Sequence, residues 1–222
     1  RRERPGAAFM IAPPSDTPIT DSALTFAEAV DGSPAPPGVI AALDLVEVRY
    51  YAFDGRLHAG QLVVHRDLVA DVREIFALIE RTRFPVEKAV PIVRYAWSDD
   101  ASMADNNASG FNYRLIAGTR KLSRHALGCA VDINPRLNPM IYGDGRVAPP
   151  GASYRPGAPG TFFPGQFLLE AFLQRGWRWG GDFISLKDYH HFEKGTEGRA
   201  RRLIKSGSRG GAGFRTDNSI DR

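Results

Sequence analysis

The sequence predicts an α+β fold, a small antiparallel sheet with flanking helices. Three features carry that expectation. Two β-branched and aromatic runs flank a turn signal, a segment with one apolar helical face follows them, and short strand-like runs recur on either side of a second helical segment.

Residues 1–38 hold seven of the sixteen prolines, so 1–42 reads as a Pro-rich arm. A short helix is expected over 22–30, where Leu24, Phe26, Ala27 and Val30 have helical spacing. The folded domain is expected over 43–193. Runs 45–51 and 57–65 surround Phe53-Asp54-Gly55-Arg56 and predict a hairpin. Asp67 is the expected N-cap of the next helix, whose core face is Leu68, Val72, Ile75, Phe76 and Ile79, with Pro85 beyond its end. Residues 89–97 read as a buried strand, at an edge because of Pro91. The polar run 99–109 reads as a loop. Run 111–116, a turn, and a strand over 130–133 follow.

Seven prolines and six glycines fall within 135–165, which predicts a long loop. Loops of that length inside a domain are often functional, and a lid or substrate-shaping wall is the expectation here. A helix over 167–175, stopped by Gly176, and strands at 177–179 and 189–192 complete the set.

Composition narrows the function classes. Of the 222 residues 43% are hydrophobic and 24% charged, the balance of a globular protein. No stretch reaches the roughly 18 apolar residues of a membrane span. A single cysteine, Cys129, excludes an intrachain disulfide and a Cys-rich zinc site. The net charge of +4 is uneven: 194–222 carries +5 and the rest −1. The basic character therefore belongs to this tail, expected to be flexible beyond a short helix over 197–205. The tail suits an anionic partner, a wall polymer or a membrane surface, or equally a solvated terminus with no binding role, while no motif points to nucleic acid.

His-Glu-x-x-His, Gly-x-Ser-x-Gly, Walker and dinucleotide motifs are all missing. Of the five histidines, His58 and His65 belong to the hairpin and are expected to be uninvolved. What remains is the run from Ser123 through His125 to Asp132, and later Asp188-Tyr189-His190-His191-Phe192-Glu193. Hydrolytic zinc takes three protein ligands, commonly two His and one carboxylate, and leaves a position open. His125 and Asp132 can meet if Gly128 lets the chain turn tightly. A histidine of the later run, His190 or His191, would complete the set. A carboxylate off the metal must then move the proton, and Asp188 is the natural candidate.

His125-x-x-Gly128-x-Ala130-x-Asp132, preceded by Ser123 and followed by Asp188-x-x-His191, closely resembles the zinc peptidases of bacterial cell-wall peptides. That family includes VanY-type D-Ala-D-Ala carboxypeptidases and L-alanyl-D-glutamate endopeptidases of bacteria and phages. The resemblance extends through Asn106-Asn107-Ala108-Ser109-Gly110-Phe111-Asn112-Tyr113-Arg114, Asp132-Ile133-Asn134-Pro135, Asn138-Pro139 and Trp179-Gly180-Gly181-Asp182, and covers about 89–193. It implies a Hedgehog-like peptidase fold with one zinc ion on the sheet. It further implies His125, Asp132 and His191 as ligands, Asp188 as the base and Arg114 as the group that polarises the scissile carbonyl. Strict strand alternation instead puts His190, not His191, on the face of Asp188, so a bulge is expected between them. Ser123, His190 and Trp179 are the further candidates for supporting the ligands or touching substrate.

An Asp rather than a Glu at 188 resembles the endopeptidase branch, so L-alanyl-D-glutamate endopeptidase is the expected activity, with D-Ala-D-Ala carboxypeptidase the alternative. The expected substrate is the peptidoglycan stem peptide. The expected location is the bacterial envelope or the exterior, a phage lysin being the alternative. A non-catalytic zinc-containing wall-binding domain is the contrasting class, and Asp188 and Arg114 argue against it.

Overall fold

The computed structural model describes residues 17–196. The first part of the Pro-rich arm and nearly all of the basic tail, with its expected helix over 197–205, lie outside the described residues.

Strand β1 (Ile19–Thr20) is followed by α1 (Phe26–Ala29) and α2 (Pro37–Ile40). The helix expected over 22–30 is thus one turn long. It starts where Thr25 and Glu28 form a reciprocal capping box. Strands β2 (Leu43–Tyr51) and β3 (Leu57–His65) form the expected hairpin, paired antiparallel from Leu43–His65 to Tyr51–Leu57. The short β1 adds to the far edge of β3 in parallel.

Helix α3 (Val69–Thr82) buries Val72, Ile75, Phe76 and Ile79 against this sheet, the face that its periodicity predicts. Asp67 is not its cap. A 3₁₀ turn, Arg66–Leu68, intervenes, and the Asp67 backbone N–H is bonded instead to the His65 imidazole.

The segment 89–109 departs most from expectation. Where a strand over 89–97 is expected, only β4 (Lys88–Ala89) forms; Pro91 opens a 3₁₀ turn, Ile92–Tyr95, and Ala96 and Trp97 take positive φ values of 50° and 64°. The polar run that reads as a loop contains α4 (Asp99–Ala104), capped by the Ser98 hydroxyl, and β5 (Asn107–Ala108), which pairs in parallel with β4. Residues 111–116 form no strand, only a bridge between Leu115 and Leu122.

The remaining strands are β6 (Ala130–Asp132), β7 (Met140–Tyr142) and β8 (Val147–Ala148) and, after α5 (Phe167–Gln174), β9 (Arg178–Trp179), β10 (Leu186–Asp188) and β11 (His191–Glu193). The fold class is α+β as expected, but the sheet is divided. One antiparallel sheet runs β6-β11-β9 and a separate one runs β10-β7-β8.

The segment 135–165 is therefore not structureless: its β7–β8 hairpin supplies the sheet on which β10 lies. Two buried amides pin it. Asn134 Nδ2 donates to the carbonyls of Pro85 and Gly160, and Asn138 Oδ1 accepts from Phe162 N. Satisfying these buried polar groups fixes the path of a chain that has few helical or sheet hydrogen bonds of its own.

One apolar core joins α3, α5 and the strands. Phe192 of β11 stacks on Phe172 of α5 with ring centroids 3.8 Å apart, and meets the edge of Phe162 at 4.8 Å. Because side chains alternate along a strand, anchoring Phe192 in the core sends His191 and Glu193 to the opposite face.

Candidate metal centre

His125 begins a 3₁₀ turn, His125–Leu127, that ends at Gly128 in the left-handed region, φ +65°. The turn doubles the chain back so that the Cys129 N–H reaches the Arg124 carbonyl, and β6 starts two residues after the glycine. No side chain fits at 128: a Cβ there would lie 2.5 Å from His65 N and 2.6 Å from Leu43 Cδ2. Asp132, the last residue of β6, pairs directly with His191 of β11. Backbone bonds with Ser109 hold its other side.

These elements converge on one buried cluster. His125 Nε2 is 3.1 Å from Asp132 Oδ2 and 3.1 Å from His191 Nδ1, and His191 Nδ1 is 3.0 Å from Asp132 Oδ1. One ligand atom from each of the three residues lies within 4.8 Å of the others, and all three side chains are buried. The donor set of two imidazoles and a carboxylate suits zinc, with a position left for water or substrate. Among the described residues this is the one group of three or more such side chains that could hold a metal ion.

The outer atoms of the cluster are held as well. His125 Nδ1–H donates to the Gly110 carbonyl at 2.5 Å, which leaves Nε2 as the free lone pair. Its backbone N–H is bonded to the hydroxyl of Ser123, which is buried. The other nitrogen of His191, Nε2, faces Glu193 Oε2 at 3.4 Å.

His190 points elsewhere. Its Nδ1–H donates to the Asn138 carbonyl at 2.8 Å, and its Nε2 lies 2.9 Å from Asp188 Oδ1 and 3.9 Å from Asp132 Oδ2. The 2.9 Å approach is an ion-pair distance without hydrogen-bond alignment, so Asp188 Oδ1 is buried with no hydrogen-bond donor.

The alternation conflict is resolved without a bulge. Asp188 ends β10 in one sheet and His191 opens β11 in another, with a turn at Tyr189-His190 between them. Alternation does not run through a change of sheet. Gly180 packs against the end of β10, where a Cβ would lie 2.4 Å from the Asp188 carbonyl oxygen. This gives the Trp179-Gly180-Gly181 run a steric reason.

The carboxylates around His190 and His191 favour their protonated forms in the metal-free protein. Burial opposes charge on His190, but the Asp188 and Asp132 carboxylates more than offset it and raise its pKa to about 9. Burial likewise opposes charge on His191, and its bonds to Asp132 and Glu193 raise it to about 10. Burial pushes Asp132 up, yet the surrounding imidazoles hold its carboxyl well below the ordinary range. A divalent ion held by His125, Asp132 and His191 would take the place of the proton on His191 Nδ1.

The other candidates are placed differently. Arg114 is tied to the His125 segment through its backbone, its carbonyl accepting from Ser123 N. Its guanidinium makes an ion pair with Asp99 at 2.8 Å, and its buried Nε has no partner. Trp179 belongs to the core and donates its indole N–H to the Tyr189 carbonyl. A cleft of about 550 Å³ nonetheless runs past Trp177, Trp179, Asp182, Phe183 and Ile184, and the Phe183 ring is 6.1 Å from that of His191. His58 lies away from the cluster, between Asp21 and Asp54.

Sequence reasoning gave no role to Gly110, Asn138 and Glu193. Gly110 and Asn138 act through backbone carbonyls, which no residue type announces. Glu193 had a signal in its position two residues from His191 on one strand.

The family model described as D-alanyl-D-alanine carboxypeptidase matches residues 117–194, the stretch that contains His125, Asp132, Asp188 and His191. No curated protein and no solved structure matches the chain. The match spans about a third of the chain, and over 117–194 the protein is similar to that peptidase family, in line with the resemblance its motifs carry.

Proposed function

We propose that this protein is a zinc-dependent peptidase that hydrolyses an amide bond of the peptidoglycan stem peptide, most specifically as an L-alanyl-D-glutamate endopeptidase. The observation that carries the reading is the buried His125–Asp132–His191 cluster, with Asp188 joined to Asp132 through His190. His125 Nε2, an Asp132 carboxylate oxygen and His191 Nδ1 would hold the ion. Zinc bound there would supply Lewis acidity at the scissile carbonyl and acidify the attacking water.

The chain's own groups do the rest. Asp188, paired through Oδ1 with His190 Nε2 at 2.9 Å, is the carboxylate assigned to take the proton of the attacking water and then deliver it to the departing amine. His190, bridging Asp188 and Asp132 and anchored on Asn138, orients that carboxylate. Arg114 is assigned to the developing oxyanion, where one fixed donor contributes about 2.7–4 kcal/mol. The cleft past Phe183 and Ile184 offers an extended peptide an apolar wall next to His191.

The Asp at 188 favours the endopeptidase. The description of the matching family favours the second reading, a D-Ala-D-Ala carboxypeptidase. A peptidoglycan substrate places the protein in the bacterial envelope or outside the cell, and no helix among the described residues is long and apolar enough to cross a membrane. The basic tail would add contact with an anionic wall polymer. Mass spectrometry of defined muropeptides incubated with zinc-loaded protein decides among the readings. A stem released from L-Ala onward supports the endopeptidase, and loss of one alanine the carboxypeptidase. Intact substrate in the presence of bound zinc contradicts both and leaves the wall-binding domain.

A further inference from the structure

We infer that Glu193 is a positioning residue for the metal site: it holds the His191 proton on Nε2 so that Nδ1 faces the ion. The inference rests on the zinc-peptidase reading and deepens it.

A neutral imidazole carries one N–H, and it ligates through the nitrogen that lacks it. His191 turns Nδ1 into the cluster, 3.0 Å from Asp132 Oδ1 and 3.1 Å from His125 Nε2. Its proton must therefore reside on Nε2 when metal is bound, and Glu193 Oε2, 3.4 Å away, is the acceptor there. His125 shows the reverse arrangement, with Nδ1–H held by the Gly110 carbonyl and Nε2 turned inward. Each histidine thus has its own outer acceptor on the nitrogen that is not needed for the ion. For His191 that acceptor is a carboxylate, which also strengthens the ring as a ligand.

The placement of Glu193 is rigid. It lies two residues from His191 on β11, the central strand of its sheet, and pairs with Ala130 on one side and Arg178 on the other. Its Oε1 accepts from Arg178 Nη1 at 3.1 Å, and Arg124 Nε lies 3.9 Å from Oε2. Both arginines are largely solvent-exposed, so these pairs contribute little to stability by themselves. Their contacts aim the carboxylate at the ring.

The test measures zinc affinity of the full chain by competition with a chromophoric chelator. Glu193→Ala is expected to bind zinc about 10–100-fold more weakly, while Glu193→Gln, which retains an acceptor oxygen without the charge, loses only about 3–10-fold. Glu74→Ala removes another carboxylate–arginine pair, with Arg175 and more exposed, and leaves affinity at the wild-type value. Unchanged affinity in Glu193→Ala overturns the inference, as does a Gln variant as weak as the Ala variant. If Glu193→Ala does not fold, the Gln variant decides alone, and wild-type affinity there overturns the inference. A wild-type protein that binds no zinc overturns the peptidase reading itself, and the positioning role with it.

Discussion

Replacing Gly128 by Ala tests whether the turn between the two nearest ligands is set by steric necessity. The residue has φ +65°, and an added Cβ would meet His65 N at 2.5 Å, Leu43 Cδ2 at 2.6 Å and Val64 C at 2.9 Å. The left-handed conformation costs an alanine about 1–2 kcal/mol. Forcing a methyl into packed backbone adds about 1–3 kcal/mol, for roughly 2–5 kcal/mol in all. Gly145 supplies the control: its φ is +84°, but no heavy atom lies within 4 Å of the added Cβ. Gly145→Ala should therefore show the conformational cost alone, about 1–2 kcal/mol. Urea unfolding of both variants and the wild type, metal-free, gives the two values. Relief of the clash must push β6 away from the hairpin, since the Gly128 carbonyl accepts from His65 N at 2.8 Å, so zinc affinity should fall in Gly128→Ala only. Equal destabilisation by the two substitutions would refute the reasoning.

Three more outcomes follow from the geometry. Asp188→Asn should lower the rate of stem-peptide cleavage by about 10²–10⁴-fold while zinc affinity stays unchanged, and retained activity would move the base elsewhere. Tyr50 is fully buried, accepts from Ala89 N at 2.8 Å and donates to Asp21. Tyr50→Phe leaves that amide without an acceptor and should cost about 1–3 kcal/mol in urea unfolding; a loss below about 0.5 would contradict the accounting. In the metal-free protein His190 and His191 are raised to about 9 and about 10 from an ordinary 6.5, so the folded state binds their protons more tightly than the unfolded chain does. That stabilisation is complete below about pH 6.5 and is lost as pH rises through the folded values. The melting temperature without metal should decline between pH 6.5 and 10, and a flat or rising profile would contradict it.

The hairpin, α3 and α5 were legible because each is long enough for its apolar period to appear in sequence. The two- and three-residue strands were not, since β4, β5, β7 and β8 are fixed by distant partners rather than by their own residues. Helix α4 did carry a local signal, the Ser98 cap followed by Asp99 and Asp100, but its polar surface resembles a loop. The strand expected at 89–97 fails because Pro91 and the left-handed Ala96 and Trp97 coil the chain.

At the site, His125 and Asp132 stood out through the Gly128 turn, a local feature. The third histidine was ambiguous because the sequence hides the change of sheet between Asp188 and His191. Arg114 was readable as a motif residue, but its pairing with Asp99 depends on α4, which was read as a loop. Within 135–165, expected to form a lid or a substrate-shaping wall, the β7–β8 hairpin supports β10 and hence Asp188, which no local signal announced.

The most direct measurement is anomalous diffraction at the zinc edge from crystals of the full chain grown with zinc. One peak is expected, about 2.0–2.2 Å from His125 Nε2, an Asp132 carboxylate oxygen and His191 Nδ1. A peak bound by His190 and Asp188, or no peak at this cluster, would contradict the assignment.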